Sequence, residues 1–288
     1  MCDERTNADS TRYLRAQRLT RRQFGAVSAG AGLAFLLPRA ADAQSVTEAE
    51  IDVTTPDGVC DSYFVHPSSG AHPGVLIWPD AFGLRDAKRQ MAKRLAESGY
   101  SVLVVNQYYR SQRAPIVSST NFAEVADVVR PLMGTLNAET HMSDARAFIG
   151  FLDSQPSVDT SRGVGTMGYC MGGPITMRTA AAVPDRVRAG ASFHGGGLVT
   201  DQPDSPHLLV PQMQAQYLFA IADNDDENDP EAKNVLREVF DKAGLAAEIE
   251  VYDGALHGWC PPDTQVYHEA QAERAWSRLL VLFGRALA

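Results

Sequence analysis

At 288 residues, with 44% hydrophobic and 21% charged residues, the chain has the composition of an ordinary soluble globular protein and enough length to bury a sizeable core. Its net charge of −9 argues against nucleic acid and anionic membrane surfaces as partners, since both call for a basic face. No Cys-x-x-Cys or His-x-x-x-His spacing suggests a metal site.

The first 43 residues differ from the rest. Arg5, Arg12, Arg15, Arg18, Arg21 and Arg22 precede an uncharged run from Phe24 to Leu37, and Ala41-Asp42-Ala43 follows. This is the order of a secretory signal: a positive region, an apolar region too short to span a bilayer comfortably, and a small-x-small cleavage site. Thr20-Arg21-Arg22-Gln23-Phe24 resembles the twin-arginine signal, whose machinery exports folded proteins across the bacterial inner membrane. Gly25, Gly30 and Gly32 disfavour a packed amphipathic helix in its place. The expectation is a leader over 1–43, a mature domain over 44–288, and a periplasmic or secreted product with no membrane anchor after cleavage. The leader holds 7 Lys+Arg against 4 Asp+Glu, so its removal takes the net charge to −12. It also takes Cys2, leaving Cys60, Cys170 and Cys260 in an oxidising compartment, where an odd number flags one reactive thiol. If that thiol is Cys170, Cys60 and Cys260 are available to pair.

Residues 46–67 read as a β-hairpin around Pro56-Asp57-Gly58. The apolar run 74–78 reads as a strand buried on both faces, followed by the loop Pro79-Asp80-Ala81-Phe82-Gly83-Leu84. A helix is predicted over 85–98, ended by Gly99, and a second buried strand over 101–105 leads to Asn106-Gln107-Tyr108-Tyr109-Arg110. Residues 111–136 read as a loop and helix forming a cover, and 138–152 as an amphipathic helix. Further strands are predicted over 164–167, 188–193, 217–222 and 248–252, with helices to 183, over 232–243 and over 269–287. Strands alternating with helices imply one α/β domain with a mostly parallel sheet covered on both faces. Chemistry in such sheets gathers at the carboxyl ends of strands.

At one such end, a strand runs through Gly168-Tyr169-Cys170-Met171-Gly172-Gly173 into an alanine-rich helix. This G-x-C-x-G turn has the layout of a nucleophile elbow, where small flanking residues let strand and helix almost touch and the helix amino end favours a thiolate. Inert buried cysteine and a phosphate-binding turn are the alternatives. A thiol attacking a carbonyl needs a base, a group to orient it and oxyanion donors. After Cys170, the acids Asp223, Asp225 and Asp226 follow one strand, and His257, flanked by Gly254 and Gly258, follows the last. His257 is the predicted base; His194, after another strand, is its competitor and otherwise lines the site or is a satisfied loop histidine. The other histidines read as surface or capping residues.

These residues, with Asp80-Ala81-Phe82-Gly83, Tyr108-Tyr109-Arg110 and His257-Gly258-Trp259, resemble the dienelactone hydrolase family of α/β-hydrolases over roughly residues 46–288. The resemblance implies a Cys170, His257 and Asp225 triad, the offset after the strand favouring Asp225 among its neighbours. It places the oxyanion hole at the Ala81 and Met171 amides, and Asp80, Tyr108 and Arg110 on the substrate side. In the family a glutamate at the position of Asp80 holds the resting thiol, and an arginine matching Arg110 binds a substrate carboxylate. Pro261 stands where the second substrate arginine would be, leaving Arg85 or Arg113 to compensate. The expected activity is hydrolysis of a small, in the family anionic, ester or lactone without cofactor or metal. A broader esterase or thioesterase, and a non-hydrolytic thiol redox or binding protein, are the alternatives.

Overall fold

In the computed structural model, residues 43–288 are described, together with 8–9, 11–12 and 37–38. The twin-arginine motif and cleavage site expected within 1–43 fall outside the described residues, apart from Ala43. Among the described residues no helix is long and apolar enough to cross a membrane.

The hairpin forms as β1 (Val46–Thr55) and β2 (Gly58–Pro67), turning at Gly58, whose φ of 139° suits glycine. Then follow β3 (Gly74–Trp78), α1 (Asp86–Glu97), β4 (Ser101–Val105), α2 (Phe122–Met133), α3 (Ala138–Asp153), β5 (Val164–Tyr169), α4 (Gly172–Ala182) and β6 (Val187–Phe193). A 3₁₀ turn over Pro206–Gln212, which the sequence pattern did not suggest, precedes β7 (Gln216–Ala222). The chain ends with α5 (Asp223–Asn228), α6 (Ala232–Ala243), β8 (Ala247–Tyr252) and α7 (Glu269–Ala286).

The eight strands lie in the order β1-β2-β4-β3-β5-β6-β7-β8; β1/β2 and β2/β4 are antiparallel and all later pairs parallel. Alternation along each strand sorts the core into two layers. Val75, Ile77, Val102 and Val104 face α1 and α7 with Leu95, Leu279 and Phe283. Leu76, Trp78, Leu103 and Val105 face α3, α4 and α6 with Phe148, Ile175 and Phe240. Because both faces are covered, these strands are apolar throughout instead of alternating with polar residues. This is the α/β-hydrolase architecture in a single domain, and it brings the loops after β3, β4, β5, β6, β7 and β8 to one edge of the sheet.

Cys60, Cys170 and Cys260 are all buried and none is in a disulfide. Cys60 instead donates to the Asn106 carbonyl at 3.4 Å, and Cys260 lies in the α1/α7 layer.

Candidate active site

β5 ends in a turn that only small residues permit. Cys170 takes a left-handed φ of 53°, rare for a residue with a side chain, and its amide donates to the Phe193 carbonyl of β6 at 3.1 Å. A Cβ on Gly168 would stand 2.2 Å from the Gly172 carbonyl oxygen, and one on Gly172 would stand 2.4 Å from that of Trp78. The two glycines therefore let α4 start against the ends of β5 and β3, with its positive end toward the cysteine.

The acid cluster after β7 has its work divided residue by residue. Asp223 accepts from the Gly254 amide at 3.0 Å, Asn224 accepts from the His257 amide at 2.8 Å, and Asp226 pairs with Lys233. Asp225 alone faces the imidazole: His257 Nδ1 is 2.7 Å from its Oδ2 and 2.9 Å from its Oδ1. Of the three candidate acids, Asp225 is thus the one placed to orient His257. Gly254 (φ 70°) and Gly258 (φ 99°) shape the loop that brings His257 back over the sheet edge.

Cys170 and His257 are 1% and 3% exposed, so both are shielded from bulk water. Burial alone would depress the imidazole, but the charge of Asp225 and then of Cys170, with hydrogen bonds to both, outweighs it and raises His257 to about 10. With Nδ1 on Asp225, the buried Nε2 is the nitrogen left for the thiol and substrate. A value near 10 keeps the His257 imidazole protonated at neutral pH. Because this folded value lies above the ordinary 6.5, the stability it contributes is complete below pH 6.5 and is lost as pH rises through about 10. The denaturation midpoint is therefore expected to fall more steeply between pH 6.5 and 10 in the parent than in Asp225→Asn. Equal slopes would contradict the coupling.

The loop that carries the expected oxyanion donor Ala81 is held by a residue that the sequence pattern did not single out. Gln107, 1% exposed after β4, donates from Nε2 to the Asp80 carbonyl at 2.8 Å. In a trans peptide the N–H points opposite to its C=O, so fixing the Asp80 carbonyl aims the Ala81 amide the other way. Tyr108, buried, places its hydroxyl 3.1 Å from both the Ala81 carbonyl and the Met171 sulfur, tying together the two loops that carry the proposed donors. Among the described residues neither the Ala81 nor the Met171 amide is taken by a protein acceptor. The signal for Gln107 was its position at a strand's carboxyl end; its contact with Asp80 is not visible in sequence.

Four charged residues that the resemblance places at the thiol or substrate are held in ion pairs. Asp80 receives Arg85 at 2.7 and 3.0 Å and Lys88 at 2.9 Å, so the carboxylate assigned to the resting thiol is occupied by an ion-pair network. Burial would push its carboxyl up, but Arg85 and Lys88 hold it well below the usual carboxylate range. Arg110, assigned to a substrate carboxylate, is divided between Asp57 of the hairpin turn and Asp144 of α3, at 2.5–3.0 Å. Arg85 continues to Asp263 at 2.6 Å, and exposed Arg113 pairs with Asp52 at 2.7 Å.

The expected cover is present. Phe122, Val125 and Val129 of α2 pack on Ala81 and Phe82, with Met171 alongside, and Thr120 ties the segment to the Asp263 carbonyl at 2.7 Å. His194 also reaches the site, its ring centroid 5.0 Å from that of His257. Of the remaining histidines, His268 caps α7, whereas His141 is buried beside Arg178 instead of lying at the surface.

The family model described as the dienelactone hydrolase family matches residues 60–287. A carboxymethylenebutenolidase homologue of Methylorubrum extorquens is 29% identical over 273 residues, covering 91% of each chain. The carboxymethylenebutenolidase of Rhodococcus opacus is 26% identical over 231 residues, 78% of this chain and 86% of its own. The crystal structure of a dienelactone hydrolase-like promiscuous phosphotriesterase from metagenomic libraries shares the fold with a TM-score of 0.70 at 23% identity, covering 84% of this chain and 99% of that one. A match that runs from the middle of the hairpin to the last helix takes in every strand-end loop of the site, and the chain belongs to the dienelactone hydrolase family, hydrolases of lactone and ester bonds.

Proposed function

We propose that Cys170, His257 and Asp225 form the catalytic triad of a hydrolase acting on small, uncharged esters or lactones. The observation that carries the triad is the pairing of a buried imidazole with Asp225 on one nitrogen and the elbow cysteine toward the other. The thiolate attacks the carbonyl carbon, and the oxyanion is held by the Ala81 and Met171 amides. Once sulfur is acylated it no longer carries charge, so one support for the imidazolium disappears. As the tetrahedral intermediate collapses, the carbon–oxygen bond breaks, His257 gives its proton to the departing alkoxide and becomes the base for water. Water attacks the thioester, the carbon–sulfur bond breaks, and acid product leaves with the thiolate–imidazolium pair restored. Asp225 holds the tautomer throughout.

The preference for an uncharged substrate rests on the committed arginines and the apolar cover. Arg85 and Arg110 each meet two carboxylates, while Phe82, Phe122, Val125 and Met171 surround the oxyanion loops. A free substrate carboxylate would have to displace Asp57, Asp144, Asp80 or Asp263 to gain a charge-assisted contact of about 1.5–3 kcal/mol. Comparison of kcat/KM for a neutral ester and its carboxylate-bearing analogue is expected to favour the neutral one by about tenfold or more. A preference for the anion would return the reading to the substrate class expected from the resemblance. Export by the twin-arginine route, supported by Thr20-Arg21-Arg22-Gln23-Phe24, would place this hydrolysis in the periplasm or outside the cell.

A further inference from the structure

His194 is the least satisfied buried residue near the nucleophile. It directly follows β6, at the sheet edge between the elbow of β5 and the acid loop of β7, and its amide donates to the Ala220 carbonyl at 2.8 Å. Its φ is 41°, a left-handed conformation that glycine would hold without strain. It is 1% exposed, and neither ring nitrogen has a hydrogen-bond partner on another described residue. Buried polar atoms are ordinarily paired, so two orphan nitrogens on one strained residue call for a ligand of the site. The ring stands edge-on to His257, 69° between planes, with Tyr169 and Trp259 at 6.1 and 6.4 Å between centroids. No hydrogen bond joins the two imidazoles, and His257 has its Nδ1 on Asp225, which leaves Nε2 for the thiol and, once sulfur is acylated, for water. A water with two or more polar partners is the ordinary occupant of such a place.

We propose that His194 is a positioning residue that holds the water which hydrolyses the acyl-enzyme. This rests on the triad reading above. The water donates one hydrogen to His257 Nε2 and the other to the unprotonated nitrogen of His194, so that an oxygen lone pair of the water is turned toward the thioester carbon. As the oxygen–carbon bond forms, its first proton passes to His257, the carbon–sulfur electrons return to Cys170, and the acid is released. The task requires a neutral His194. Burial, with the neighbouring charges of His257 and Lys88, holds its imidazole well below the usual histidine range. No comparable demand falls on acylation, which uses only Cys170, His257 and the oxyanion amides. His194 therefore acts on one half-reaction.

The test separates the halves in single-turnover experiments with p-nitrophenyl acetate and enzyme in excess. Acylation is read from nitrophenolate release, and deacylation from loss of the acetyl group on Cys170 by mass spectrometry of quenched samples. His194→Gly removes the ring while relieving the backbone, and His194→Phe refills the volume without a nitrogen. In both, deacylation is expected to slow about 30-fold or more while acylation stays within about threefold of the parent. His194→Asn, which tolerates a left-handed backbone and keeps a hydrogen-bonding group, is expected to recover most of the lost rate. Deacylation at the parental rate in the glycine and phenylalanine variants, or a parallel fall of both steps, would overturn the assignment and leave His194 a packing residue. Failure of the triad itself would look different: Cys170→Ala would turn over ester, and no acetyl group would be found on Cys170 in any protein.

Discussion

Cys170→Ala is expected to abolish ester hydrolysis, with kcat/KM falling about 10⁴-fold or more to the level of the uncatalysed reaction plus residual binding. The size follows from the division of labour at the site. The oxyanion amides and the His257–Asp225 pair survive the substitution, but no other thiol can take the place of the nucleophile. Cys60 is raised to about 12 by burial, with hydrogen bonds to Ser62 and the Asn106 carbonyl too weak to offset it, and Cys260 is held well above the usual thiol range by burial. The variant should fold, because alanine meets the same left-handed backbone cost that cysteine already bears. His257 should then fall in pKa toward neutrality, since the thiolate is among the groups that raise it. A titration of the His257 ring by NMR in parent and variant reads that shift independently of activity.

Gly172→Ala is the second large effect, and it acts through geometry instead of chemistry. The added methyl would stand 2.4 Å from the Trp78 carbonyl oxygen and 2.9 Å from that of Pro79. Both are backbone atoms at the end of a central strand, so no side chain can turn away to make room. Relief requires α4 to retreat from β3, which separates the Met171 and Ala81 amides, the proposed oxyanion donors. The expected result is a destabilisation of about 3 kcal/mol or more and a fall in kcat of about a hundredfold, read by thermal melts and steady-state kinetics. Gly150 in α3 is the control. Its added methyl would meet nothing within 4 Å, so Gly150→Ala should keep full activity and gain about 0.5–1 kcal/mol of stability.

The two substitutions show which parts of the site could be read from sequence. Glycines at 168 and 172 are local signals, because the elbow is built from neighbours in the chain. The order cysteine, acid, histidine is also local to three strand ends. What could not be read is what the remaining side chains hold across the fold. Arg110 looks available until the hairpin turn brings Asp57, and α3 brings Asp144, to its guanidinium. Asp80 looks available until the start of α1 lays Lys88, and Arg85 just before the helix, against it. The choice among Asp223, Asp225 and Asp226 was open because it depends on how residues 254–257 return over β7, which is a property of the loop pairing and not of the acid run. That run also winds into the short helix α5, against the poor helical propensity of Asp and Asn, because Asp223, Asn224 and Asp225 are held by residues 254–257. Strand boundaries shifted by a residue or two for a similar reason: Ala247 and Gln216 join their strands through pairing with β7 and β6.

Intact-mass spectrometry of the enzyme, quenched in acid during turnover of a neutral acetyl ester, tests the central claim most directly. The account predicts an acetyl adduct that maps to Cys170, is absent from Cys170→Ala, and decays at the deacylation rate. Turnover proceeding without any adduct on Cys170, or with the adduct on another residue, would contradict it.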